Sequence, residues 1–155
     1  MKVDVIVVGS GQAGIPLAAR LARAGKQVLL AERGELGGTC VNTGCTPTKT
    51  MIASARAAHV ARTAARLGVR AGPVQVDLPA VVDRKDALVR KWREGAEKRL
   101  REGGDRVTLV HGQARFTGER RIEVAGETHT ADIVVLDVAL APPRRLSTAS
   151  EKLLG

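Results

Sequence analysis

The chain has 155 residues, enough for one compact domain with a buried core and too few for two of ordinary size. A hydrophobic fraction of 44% excludes a disordered chain, and no apolar stretch reaches the length of a bilayer span. The net charge of +9 is spread over helical segments, and aromatic residues are only 1% of the chain, so solvated helix faces are favoured over a nucleic-acid or membrane surface.

Met1-Lys2-Val3-Asp4-Val5 runs straight into strand-like sequence without the layout of a signal peptide, and a cytoplasmic protein is expected. Val3 to Val8 is a β-branched run of the kind found in buried parallel strands. Gly9-Ser10-Gly11-Gln12-Ala13-Gly14 ends it, and Ile15 to Ala24 follows as an amphipathic helix with Pro16 in its first turn and Gly25 as its stop. Val28 to Ala31 is a second strand, closed by Glu32 and Arg33. Together these make one β-α-β unit.

A glycine-rich loop from Gly34 to Gly44 comes next, carrying Cys40 and running into Cys45. An alanine-rich helix is expected from Pro47 to about Leu67, then a short strand over Val74 to Asp77. Val82, Val89, Trp92, Ala96 and Leu100 recur at helical spacing and predict one apolar face of a long helix. Arg84, Arg90, Lys91, Lys98 and Arg101 are expected on its solvated face. Short strands are expected over Val107–Val110, Ala114–Phe116, Ile122–Val124, Thr128–Thr130 and Ile133–Val138, separated by turn residues. Residues 139–155 show no clear period and are expected to form a disordered tail outside a domain spanning 1–138.

Gly9, Gly11 and Gly14 form a G-x-G-x-x-G fingerprint in the one context that makes it informative: a strand before, a helix after, and a second strand ending in an acid. The first glycine permits the tight turn, the second lets backbone approach a pyrophosphate, and the third lets the helix lie close to the strand. The helix N-terminus then offers free N–H groups and a positive dipole end. Glu32 follows at nearly the spacing of an acid that binds ribose hydroxyls. The pattern indicates a dinucleotide without separating FAD from NAD.

Cys40 and Cys45 lie in Gly37-Gly38-Thr39-Cys40-Val41-Asn42-Thr43-Gly44-Cys45-Thr46-Pro47-Thr48-Lys49. Two cysteines with no histidine nearer than His59 cannot close a structural zinc site, and a structural disulfide would staple only a very small loop. A functional pair is the better reading. Five residues of regular helix would advance about 7.5 Å, so the turn at Gly44 must be distorted if the two sulfurs are to bridge. Cys45, at a helix start and near Lys49, stands where a thiolate is favoured.

This segment resembles the active-site signature of the class I pyridine-nucleotide disulfide oxidoreductases, which include dihydrolipoamide dehydrogenase, glutathione reductase and mercuric reductase. The resemblance covers roughly Val3 to Val135. It implies an α/β fold: an incomplete Rossmann-like FAD-binding domain, with a parallel sheet and flanking helices, plus a small antiparallel β-meander. It implies Cys40 as the interchange thiol, Cys45 as the charge-transfer thiol against the flavin, and Lys49 near the flavin N5 region. Gly38 and Thr39 would contact FAD, Glu32 and Arg33 would lie at the adenosine ribose, and backbone near Ala114 would recognise adenine. In the family NADPH or NADH is the electron donor and the enzyme is a homodimer.

The chain also departs from the family pattern. The second glycine fingerprint and the C-terminal histidine–glutamate pair are absent, and Leu136-Asp137-Val138 stands where the family usually reads Ala-Thr-Gly. The expectation is a fragment that binds FAD weakly or not at all and is inactive alone. The form of the cysteine segment is most similar to mercuric reductase, in which the dithiol handles Hg(II), transiently held by Cys40 and Cys45, or a disulfide substrate. A dihydrolipoamide dehydrogenase-like fragment is the alternative. So is a non-catalytic remnant or a subunit completed by a separate chain.

Overall fold

The computed structural model describes residues 1–138. Strands β1 (Lys2–Val8), β2 (Val28–Glu32), β3 (Val107–His111), β4 (Arg115–Gly118), β5 (Arg121–Val124) and β6 (Glu127–Leu136) form one sheet in the order β3-β2-β1-β6-β5-β4. β1, β2, β3 and β6 are parallel, whereas β5 runs antiparallel to both β4 and β6. The parallel sheet and the β-meander are therefore one continuous structure of α/β type.

Alternation along the strands decides what each face buries. Val5, Val7, Val28 and Leu30 pack on one side against Ile15 and Ala18 of helix α1 (Gly14–Arg23) and Leu100 of helix α4 (Leu78–Arg101). On the other side Ile6, Leu29 and Ala31 meet Ile122 and Val124 of β5. The meander thus curls over the second face and covers it in place of helices. Ile6, Leu29, Leu30 and Ile122 are completely buried, each stabilising the fold by about 1.5–3 kcal/mol relative to exposure.

Three expectations need correction. The strands foreseen over Thr128–Thr130 and Ile133–Val138 are one strand, β6, which changes partner at Thr130: its first residues pair with β5 and the rest with β1. Val74–Asp77 is not a strand, because no neighbouring strand offers it a ladder. Instead Asp77 caps α4, its carboxylate accepting from the Ala80 amide at 3.0 Å, with Pro79 in the first turn. Trp92 is 58% exposed. At 100° per residue Val89, Ala96 and Leu100 lie within about 20° of a common direction and Trp92 about 60° off it, at the edge of the stripe. Arg84 is exposed as expected, and from there it also donates to the Thr50 carbonyl and the Ser54 hydroxyl of helix α3 (Cys45–Thr63).

The cysteine loop is also more ordered than expected. Gly38–Asn42 forms a short helix, α2, and α3 begins at Cys45 rather than Pro47. No helix among the described residues is long and apolar enough to cross a membrane. The tail expected over 139–155 lies outside the described residues.

Candidate functional site

All four parallel strands deliver their carboxyl ends to the same edge of the sheet. β1 is central: its chain returns through α1 to β2 on one side, and β6 lies on the other. The space between Val8 and Leu136 is therefore a topological switch point, where a crevice opens and open α/β sheets bind their ligands.

The glycine loop fills the rim of that crevice. Gly9 has φ +102° and donates to the Ala31 carbonyl at 2.8 Å, so the chain leaves β1 in a turn that a side chain would strain. A Cβ on Gly14 would run into the Gly9 carbonyl oxygen, and its absence lets α1 start directly on the strand end. Ser10 is wholly buried between them. Its amide and hydroxyl both donate to Glu32 Oε2, at 2.8 and 2.6 Å, while Glu32 Oε1 accepts from the Gly34 amide at 2.8 Å. Burial raises the Glu32 carboxyl pKa, but hydrogen bonds from Ser10, Gly34 and the Arg33 backbone outweigh it and hold the group below its ordinary value.

Arg33 is exposed beside this acid. The Gly112 amide donates to the Glu32 carbonyl at 2.8 Å, which brings the loop carrying half-buried Ala114 to the same end of the sheet. Ala114 itself packs against the second-face core.

The cysteine segment is fastened to the glycine loop. The Gly37 amide donates to the Ser10 carbonyl at 3.0 Å, and a Cβ on Gly38 would stand 2.9 Å from the Gly11 Cα. Gly38 opens α2, Thr39 is exposed, and Cys40 is half-buried. Between α2 and α3 the backbone breaks at Gly44, with φ −117° and ψ −109°. This is the distortion that the cysteine spacing demanded. It brings the Cys45 side chain to hydrogen-bond Cys40; both are free thiols, and Cys45 is the more exposed. That hydrogen bond, then burial, pushes the Cys40 thiol up, against a smaller opposing pull from the charge of Lys49. Glycine loop, Glu32, Cys40, Cys45 and Lys49 are thus gathered at one edge of the sheet.

Several working residues had no sequence signal of their own. Asn42 donates to the carbonyls of Glu35, Leu36 and Gly38, and its own oxygen accepts from Arg93 Nε and Nη2 at 3.1 and 2.8 Å. Arg93 also pairs with Glu35 at 3.3 Å, so one α4 side chain pins the whole loop. Asn42 was at least visible inside the cysteine segment; Arg93 was not. Asp137 follows β6, donates its amide to the Val8 carbonyl at 2.7 Å, and accepts from the Gly14 amide at 2.6 Å. Only the β1–β6 register reveals it.

A cleft of about 350 Å³ lies between the glycine loop and α4, lined by Gly11, Gln12, Ile15, Gly37, Val41 and Trp92 among others. A larger hollow of about 570 Å³ sits at the other end of α1, beside Arg23 and Glu102, away from the thiols. Among the described residues no group of three histidine, cysteine or acidic side chains could hold a metal ion. Cys40 and Cys45 are a two-ligand thiol set, suited to soft metals.

The frame fits a dinucleotide: strand, glycine turn, helix N-terminus and ribose-type acid are in place. At that helix N-terminus the Gly14 amide is taken by the Asp137 carboxylate. Fold and site together define an α/β dinucleotide-binding unit joined to a vicinal thiol pair. The chain belongs to the pyridine nucleotide-disulphide oxidoreductase family, whose model matches residues 3–150. Members of that family are flavin-dependent oxidoreductases that use FAD and NAD(P)H.

Among relatives, it is 39% identical over 139 residues to dihydrolipoyl dehydrogenase of Thermus scotoductus, covering 90% of this chain and 30% of the relative. It is 39% identical over 124 residues to mercuric reductase of Streptomyces lividans, covering 79% and 26% respectively. The solved Cu(II) complex of RclA, the HOCl-induced flavoprotein disulfide reductase of Escherichia coli, is similar with a TM-score of 0.71 and 26% identity. That likeness covers 92% of this chain and 30% of the other. The chain therefore spans about 30% of the length of these proteins.

Proposed function

We propose that this chain is the FAD-binding, dithiol-bearing portion of a flavin disulfide oxidoreductase of the mercuric reductase type, driven by NADPH. The observation that carries the reading is the Cys40–Cys45 thiol contact across the α2–α3 break, fastened through Gly37 and Gly38 to the glycine loop. Flavin, when bound, would supply the electron pair that opens a Cys40–Cys45 disulfide. This chain's own residues would hold the cofactor: Glu32, which ends β2 and is held by Ser10 and Gly34, would present its carboxylate to a ribose hydroxyl. Gly38 and Thr39 open α2, which carries Cys40, and the Lys49 cation acts on that thiol.

The dithiol could then bind Hg(II) through two sulfurs, releasing two protons. It could equally pass two electrons and two protons to a small disulfide, closing its own. The dihydrolipoyl relative favours lipoamide as a second reading of the substrate. In either reading a homodimer, or another chain, would cover the exposed α3 residues Met51, Ile52 and Val60.

The test is a thiol count against redox potential. In a lipoamide or glutathione redox buffer the two thiols are expected to vanish together, as an intramolecular disulfide seen by mass, and Cys45→Ser to leave Cys40 reduced. Loss of the two thiols independently, with mixed disulfides only, overturns the reading. Stoichiometric Hg(II) protection of both thiols from alkylation favours the mercury substrate over lipoamide.

A further inference from the structure

We propose that Asp137 is an internal competitor for the dinucleotide phosphates: its carboxylate holds the anion position at the start of α1, and a cofactor must displace it to bind. The inference rests on the dinucleotide-binding reading given above and goes beyond it to what sets the affinity.

The contact is built, not incidental. Asp137 Oδ2 accepts from the Gly14 amide at 2.6 Å. The same oxygen lies 2.9 Å from where a Cβ would stand on Gly11 and on Gly14, so the carboxylate fills the space that two fingerprint glycines leave open. Asp137 is itself fixed, because its amide continues the β1–β6 pairing onto the Val8 carbonyl and its carbonyl closes over Gly9.

The start of α1 explains why a carboxylate settles there. The helix has no acidic residue in its first turn, and Ala13 at its N-cap offers no side-chain acceptor. Asp137 supplies from another strand the negative charge and the acceptor that the local sequence lacks. A diphosphate reaching the same N–H group would meet that carboxylate at hydrogen-bonding range, two anions on one donor. Phosphate binding and the Asp137 contact are therefore alternatives.

The test compares the unaltered chain with Asp137→Ala and Asp137→Asn by calorimetric titration with ADP, FAD and adenosine. Asparagine keeps the shape and an acceptor for Gly14 while removing the charge, and so guards against a folding failure of the alanine variant, which circular dichroism would reveal. Both variants are expected to bind ADP and FAD at least about tenfold tighter, with adenosine unchanged. Equal ADP affinity in all three proteins, or an equal gain for adenosine, overturns the inference and leaves the dinucleotide reading standing. No binding of ADP or FAD by any of the three overturns both.

Discussion

The Glu32 carboxylate takes both hydrogens that Ser10 can donate, through the amide and the hydroxyl, and so ties the end of β2 to the turn after β1. Because Ser10 is wholly buried, no water replaces this partner. Glu32→Ala is expected to cost about 1–3 kcal/mol at neutral pH, read from urea denaturation. The held carboxyl titrates below its unfolded value. Its stabilisation is therefore complete above pH about 4.5 and is lost as pH falls from there through the folded value. Between pH 5 and 3 the unaltered chain should lose more stability than Glu32→Gln; parallel losses would remove Glu32 from the account.

Two glycine replacements should act in opposite directions. Gly14→Ala drives a methyl into the Gly9 carbonyl, a backbone atom that cannot step aside, and should destabilise by about 1–3 kcal/mol. Gly95→Ala, within α4 and facing open space, should stabilise by about 0.5–1 kcal/mol. Thermal midpoints of the two variants decide it, and a neutral Gly14→Ala would mean that α1 does not need its close seat on the strand.

The Asn42 side chain joins the Glu35–Gly38 loop to α2 and, through Arg93, to α4, where the Glu35–Arg93 ion pair adds a second tie. Asn42→Ala should therefore loosen the segment that half-buries Cys40, at a cost of about 1–2 kcal/mol. The sharper readout is alkylation by iodoacetamide followed by peptide mass analysis. Cys45, already exposed, should react at a nearly unchanged rate, while Cys40 should react several-fold faster.

His129 is 2% exposed, opposite Ile122 across the strand pair, and neither ring nitrogen has a hydrogen-bond partner. Burial, and secondarily the N-terminal ammonium, lower its pKa against a weaker opposing pull from Glu127. The neutral ring is the folded form. Stability is thus full above pH about 6.5 and falls as pH drops below it, because the unfolded chain takes up the proton first. His129→Leu should flatten the difference in melting temperature between pH 7.5 and 5.5 without loss at pH 7.5. An undiminished difference would assign the acid sensitivity to other groups.

How much of this was legible in the sequence depends on how local the cause is. The β-α-β unit, the glycine turn and the break at Gly44 follow from residues within a few positions of each other, and these matched. Val74–Asp77 had strand-forming residues but no strand to pair with, and the neighbouring Asp-Leu-Pro sequence served a helix start instead. Trp92 misled because a spacing of three or four residues admits both the centre and the edge of a helical stripe. Arg93 and Asp137 meet partners 51 and 123 residues away, and nothing near them in sequence announces those partners.

β6 is one uninterrupted strand serving two neighbours of opposite direction. Hence the hairpin at Ala125–Gly126 and the Asp137 carboxylate at the start of α1 are geometrically indexed to each other. A single-residue slip of β6 against β1 would advance Asp137 by about 3.3 Å and turn its side chain to the opposite face of the sheet. An insertion or deletion anywhere in β6 would thus change the chemistry at Gly14 without touching a residue of the glycine loop.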